Sequence, residues 1–243
     1  MAGTGNATGI TVERDGAVVR LWLDRPAKHN PLGTATLEQI VALYESFATD
    51  YEVRVVVLGG RGPSFSAGAD LNAPPGSERM SRRGGAGERE RRWWSQLGHR
   101  AVAAVADAEV VTIARLHGNV LGGGLCLALA CDFRVAAADA RLGLPEVDLG
   151  MPFTPGMNAL IPARLPATTA HEAMVTGRRY TGPEALAAGI VSRLSDEDRV
   201  VPDAVALAAP LASKAGPGLA RIRTTLHAGV IALLLDTGTD AAV

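Results

Sequence analysis

The spacing of apolar residues changes period several times along the chain, and each change marks a structural element. Residues 18–23, VVRLWL, alternate around Arg20 and Trp22 and predict an early strand. The segment that follows, DRPAKHNPLG, is rich in Pro, Asn and Gly and reads as loop. From Thr36 the period becomes helical, with Leu37, Ile40, Val41, Tyr44 and Phe47 on one face and Thr36 with Gln39 offering a capping box. VRVVVLGG (53–60) is a continuous β-branched run closed by glycine, as expected of a strand buried on both faces. A loop, RGPSFSAGADL, comes next. Residues 72–92 combine Pro, Gly and charge and predict a mobile loop or a frayed helix. Order returns with strands at EVVTIARL (109–116) and FRVAAA (133–138), which flank a glycine-opened apolar helix. Helical patterns dominate from about residue 155, interrupted by a short strand at IVSRL (190–194).

Strands alternating with helices predict an α/β architecture. With no obvious linker, the division is a core over 1–200 and a C-terminal helical section over 201–243. A chain of 243 residues can bury one large core. Lys and Arg number 24 against 25 Asp and Glu, so no global field points to nucleic acid or to a membrane surface as partner. Cys126 and Cys131 both lie in an apolar stretch and form no disulfide framework, which suits a reducing compartment. The N-terminal MAGTGNATGI lacks the basic and apolar regions of a signal peptide, and the expectation is a cytoplasmic protein.

The candidate chemistry begins at GNVLGGGLCLALACDF, residues 118–133. The first amides of a helix have no intrahelical partner, and glycine lets another molecule approach them closely. Gly122, Gly123 and Gly124 therefore form a receptor for a developing oxyanion, or else simply permit tight helix–sheet packing. The segment is neither a Walker loop nor a dinucleotide-binding fingerprint. A second turn, FSAGADL (65–71), also follows a buried strand and presents small residues. Two such turns can each aim one N–H at the same carbonyl oxygen.

Five segments in order carry a family resemblance: LDRPAKHNPLG, VVVLGGRGPSFSAGADL, HGNVLGGGLCLALACDFRVA, LGLPEVDLGMPFTPG and VTGRRYTGPEALAAGIVSRL. Over about residues 10–195 the chain resembles the enoyl-CoA hydratase/isomerase (crotonase) superfamily. The resemblance implies a crotonase-like spiral of ββα units with a C-terminal helical section, assembled as a homotrimer or hexamer. It implies an acyl-CoA substrate whose thioester carbonyl is held by the amides of Ala69 and Gly123. Coenzyme A would lie against the backbone from Ala67 to Leu71, with Asp70 fixing that turn, Gly122 beside it and Lys28 as a candidate for the CoA phosphates. No metal or further cofactor is implied, and the five histidines form no ligand cluster in the sequence.

Hydratases of the resembling family use two glutamates; the first falls here at Cys126 and the second at Glu146. One positioned carboxylate can carry a proton between two carbons, which suffices for a double-bond shift, whereas losing an acid/base partner costs hydration about 10²–10⁴-fold. The expected activity is isomerisation, with an acyl-CoA hydrolase or a weakly catalytic acyl-CoA-binding protein as the alternatives. Cys126 is weighed as a nucleophile against a buried thiol, which its apolar neighbours Leu125 and Leu127 favour, and Asp148 as a second carboxylate if 146–148 is extended or else as a turn-stabilising residue. Trp93 and Trp94 are placed as a lid over the acyl chain. The apolar VIALLL near the C-terminus predicts a surface that seeks a partner.

Overall fold

The computed structural model describes residues 8–70, 87–196 and 198–236, the side chains of 87–94 excepted. Strands β1 (Ile10–Asp15) and β2 (Val18–Leu23) form an antiparallel hairpin, paired from Ile10↔Leu23 to Asp15↔Val18. Helix α1 (Thr34–Phe47) leads into β3 (Val55–Gly60), and α2 (Gly87–Ala106) into β4 (Val111–Leu116). Strand β5 (Asn119–Leu121) and helix α3 (Gly123–Ala130) precede β6 (Phe133–Ala137) and β7 (Arg141–Gly143). Helices α4 (Pro155–Arg164) and α5 (Ala167–Thr176), strand β8 (Arg179–Thr181), helix α6 (Gly182–Ala187) and strand β9 (Arg193–Ser195) follow. Helices α7 (Val200–Ala212) and α8 (Pro217–Leu235) end the described chain.

Six strands form one sheet in the order β1-β2-β3-β4-β6-β9, parallel beyond the first hairpin. A smaller sheet, β5-β7-β8, stands apart from it. The architecture is the expected α/β spiral of strand–strand–helix units. The β-branched run in β3 behaves as its composition predicts. Val56 and Leu58 enter the main core with α1, α2 and α3, and Val55 and Val57 enter a second core capped by Val200, Ala204, Leu207 and Ala208 of α7.

Several local expectations need correction. Helix α1 begins at Thr34 with Gly33 as N-cap, and Thr36 caps nothing: its Oγ1 donates instead to the carbonyl of Thr8, 2.8 Å away. The strand placed at 190–194 forms at Arg193–Ser195, because pairing with β6 sets its register. The segment 72–92 falls partly outside the described residues, and its last part belongs to α2.

Helix α8 packs on α2 and α4, and its inward face carries charge. Arg223 Nε donates to Asp132 Oδ1 at 2.8 Å, and another guanidinium nitrogen donates to the carbonyl of Ala108. Asp132 in turn accepts from Thr112 N, so one buried ion pair ties α8 to the start of β4 and the end of α3. The opposite face of α8 leaves Ile222 at 64% and Leu226 at 73% exposed. By length and composition alone, α8 is the one described helix that could cross a membrane.

Candidate active site

Strand β3 delivers the chain to the turn at 61–70, and β4 delivers it to β5 and the start of α3. Backbone bonds join the two turns: Phe65 N donates to His117 O (2.9 Å), Ser66 N to Asn119 O (3.0 Å) and Leu121 N to Ser66 O (3.1 Å). Small residues let the turns meet. A Cβ on Gly68, where φ is +89°, would stand 2.7 Å from Leu121 O and 3.6 Å from Gly123 N, and one on Gly124 would stand 2.8 Å from Ser66 Cβ. Larger residues would force the turns apart.

The two candidate amides lie at this junction. Leu32 N donates to Gly68 O (2.8 Å), and Leu32 O accepts from Asp70 N (3.1 Å). In a parallel bridge that brackets Ala69 in this way, the N–H of Ala69 itself points away from Leu32. Gly123 is the first residue of α3, whose N-cap Gly122 offers no side chain, so its N–H has no intrahelical acceptor. Gly122 takes φ +51°, donates its N–H to Gly143 O (3.0 Å) and accepts from Cys126 N (3.0 Å), which fixes the start of the helix.

Glu146 approaches from the β7–α4 connection. Its residue is 8% exposed, and a Cβ on Gly122 would come 3.0 Å from its Oε1. Among the described residues its buried Oε2 has no hydrogen-bond partner. Burial pushes the carboxyl above the usual glutamate range. A buried carboxyl oxygen without a partner calls for a physical account, and a proton-transfer role is one.

The other expected site residues fall into different environments. Lys28 is exposed in a 3-10 turn over Pro26–Lys28, and Ala67 is exposed with its N–H bonded to His29 O. Asp70 is buried, and its Oδ2 accepts from Arg25 Nη1 at 2.6 Å, an ion pair that holds the end of the turn. Leu71 and the side chains of Trp93 and Trp94 lie outside the described residues.

Asp148 does not share a face with Glu146. Residues 145–150 are a turn rather than an extended strand, closed by Leu149 N to Pro145 O and Gly150 N to Val147 O, and Asp148 sits exposed beside Gly177. The surroundings of Cys126 favour the buried thiol over the nucleophile. Cys126 is 0% exposed, and burial first, then the carboxylate of Glu146, push its thiol far above the ordinary range. Cys131 is likewise buried, its thiol pushed up to about 12. No group of three or more His, Cys, Asp and Glu side chains among the described residues is arranged to hold a metal.

Sequence reasoning passed over Asn30, which is 1% exposed and holds a left-handed backbone at φ +53° beside His29 at +58°. The available signal was its type, since Asn tolerates this conformation better than most residues.

Comparison with known proteins identifies the family. The profile of the enoyl-CoA hydratase/isomerase family matches residues 13–240. A probable enoyl-CoA hydratase of Bacillus subtilis (strain 168) is 34% identical over 229 residues, 93% of this chain and 84% of that protein. A carnitinyl-CoA dehydratase of Salmonella agona is 33% identical over 220 residues, 90% of this chain and 80% of its own. Among solved structures, an enoyl-CoA hydratase subunit from Geobacillus kaustophilus superposes with a TM-score of 0.77 at 32% identity, covering 91% of this chain and 82% of that one.

Proposed function

The chain belongs to the enoyl-CoA hydratase/isomerase family and acts on an acyl-CoA thioester; from that premise we propose that it shifts a double bond from 3-enoyl-CoA to 2-enoyl-CoA with Glu146 as its sole acid/base group. The carboxylate of Glu146 removes a proton from C2 of the substrate. The C–H electron pair moves toward the thioester carbonyl, and the N–H groups of Ala69 and Gly123 hold the resulting dienolate oxygen. Glu146, now a carboxylic acid, returns the same proton to C4 and leaves the double bond conjugated. The step is redox-neutral and uses no group beyond the substrate's own coenzyme A.

One observation supports this reading: a buried carboxyl, one oxygen of which has no partner among the described residues, stands beside Gly122, and by the sequence resemblance the first family glutamate is replaced by Cys126, which is buried. Hydration is served by a second group that holds and activates water, and a buried thiol that resists ionisation is poorly suited to that part. The proposed assembly is a homotrimer or a pair of trimers, supported by the uncovered apolar positions Ile222 and Leu226 on α8.

The test follows the absorbance of the conjugated thioester and the product mass with 3-enoyl-CoA and 2-enoyl-CoA substrates. Conjugation should grow from the 3-enoyl substrate and be lost in Glu146→Gln, with CoA binding retained. Rapid gain of water on the 2-enoyl substrate, release of free CoA, or binding without any turnover would each overturn the isomerase reading.

A further inference from the structure

We propose that Asn30 is the positioning residue that aims the Ala69 N–H, by templating the turn at 61–70 through its side chain and its left-handed backbone. The inference rests on the reading of Ala69 as an oxyanion donor. Every hydrogen-bonding group of the Asn30 amide has a strong partner, and all of them belong to loop backbone. Oδ1 accepts from Arg25 N at 2.8 Å, and Nδ2 donates to Arg61 O at 2.9 Å and to Ser64 O at 2.7 Å. The side chain therefore ties the first loop to the two carbonyls that open the 61–70 turn.

The backbone of Asn30 continues the relay. Its carbonyl accepts from Ser66 Oγ at 2.7 Å, and the same oxygen of Ser66 accepts from Gly68 N at 3.1 Å. On either side of Asn30, His29 O accepts from Ala67 N, and Leu32 pairs with Gly68 O and Asp70 N. Residues 29–32 thus form a template along which 66–70 is laid in fixed register. The paired positive φ values at His29 and Asn30 reverse the chain after the 3-10 turn and bring that template alongside. Of the two residues, Asn30 is the buried one, and its amide reaches across to the opposite loop.

The side chain bonds neither Ala69 nor Gly123, so its effect on chemistry passes through the direction of one N–H. That direction matters most when charge develops on the substrate oxygen. A polar anchor of this kind should affect turnover far more than ground-state binding.

Asn30→Asp and Asn30→Gly separate the possibilities. Aspartate keeps size and tolerance of the left-handed region but turns two donors into acceptors facing carbonyls; glycine keeps the backbone freedom and removes the amide. The full-length variants, the unaltered protein and Glu146→Gln would be compared for kcat and KM on 3-enoyl-CoA. A second readout is the carbonyl stretching frequency of a bound saturated acyl-CoA labelled at the thioester carbon. Both Asn30 variants should fold, lose about 10–100-fold in kcat with KM within about threefold, and lose most of the carbonyl shift. Glu146→Gln should keep that shift while losing turnover. Unchanged kcat and carbonyl frequency in both Asn30 variants would overturn the proposal. So would failure of both to fold, since Asn30 would then hold the fold rather than aim the turn. If the unaltered protein shows no carbonyl shift, the oxyanion reading itself falls; a shift with no turnover removes the isomerase reading and leaves the role of Asn30 to be decided by the shift.

Discussion

The carboxyl of Glu146 rests against the bare backbone of Gly122: a Cβ there would stand 3.0 Å from Oε1, at a φ of +51° that side chains rarely adopt. Gly122→Ala should therefore strain the start of α3 by about 1–3 kcal/mol and displace the carboxyl together. Turnover should fall about 10–100-fold, with melting temperature lowered by roughly 2–8 °C. Steady-state kinetics beside a thermal melt check both, and unchanged turnover would remove the contact from the chemistry.

Burial holds the folded-state pKa of Glu146 above its unfolded value. The neutral carboxyl is therefore the form the fold prefers. Its stability contribution is complete below the unfolded value of about 4.3 and is lost as pH rises through the folded value. Glu146→Gln should melt higher than the unaltered protein at pH 7–8, with the gap closing toward pH 4. In the active protein the carboxylate must be charged to take the C2 proton. The acid limb of kcat/KM should therefore fall above the ordinary glutamate range and disappear in the variant's residual activity. Equal melting at every pH would argue that the carboxyl is solvated.

Both cysteines are closed to solvent, and neither thiol ionises readily. Iodoacetamide should label neither in the folded protein at pH 8 and both after denaturation, as mass spectrometry would read directly. Cys126→Ala should cost about 1 kcal/mol of packing and leave isomerisation within about threefold. A loss of more than about 100-fold would return the thiol to the chemistry.

The outward positions of α8 test the proposed assembly. Ile222 and Leu226 lie one turn apart and are largely exposed in the single chain. Sedimentation of the unaltered protein should give a trimer or hexamer. Leu226→Glu should shift it toward the monomer, because a charge buried at an apolar contact costs several kcal/mol. A monomeric unaltered protein would overturn the assignment.

How much of this was legible before folding depended on the range of the interactions. Strands β3 and β4 were readable because Val55 to Leu58 are apolar on both faces, and β4 sets Val111 and Ile113 on one face and Ala114 and Leu116 on the other, patterns written in nearby residues. Strand β1 was not, since ITVERD is a half-exposed edge that gains its identity from pairing with β2. The three-residue strands β5, β7 and β8 escaped for the same reason: each is defined by a partner rather than by its own composition. Thr36 looked like a helix cap until Thr8, 28 residues away, claimed its hydroxyl.

By itself the sequence determined the chemical inventory: glycines opening a helix, a second turn of small residues, a glutamate at 146 and a thiol at 126. These are statements of residue type and local order, and short-range sterics suffice to read them. Tertiary structure alone decided which groups meet. It turned Glu146 inward against Gly122 and left its Oε2 without a partner among the described residues, turned Asp148 outward two residues on, and made Asn30 the anchor of a loop more than 30 residues further along. Such choices depend on hydrogen bonds between distant segments, whose partners come within reach when the core brings the loops together.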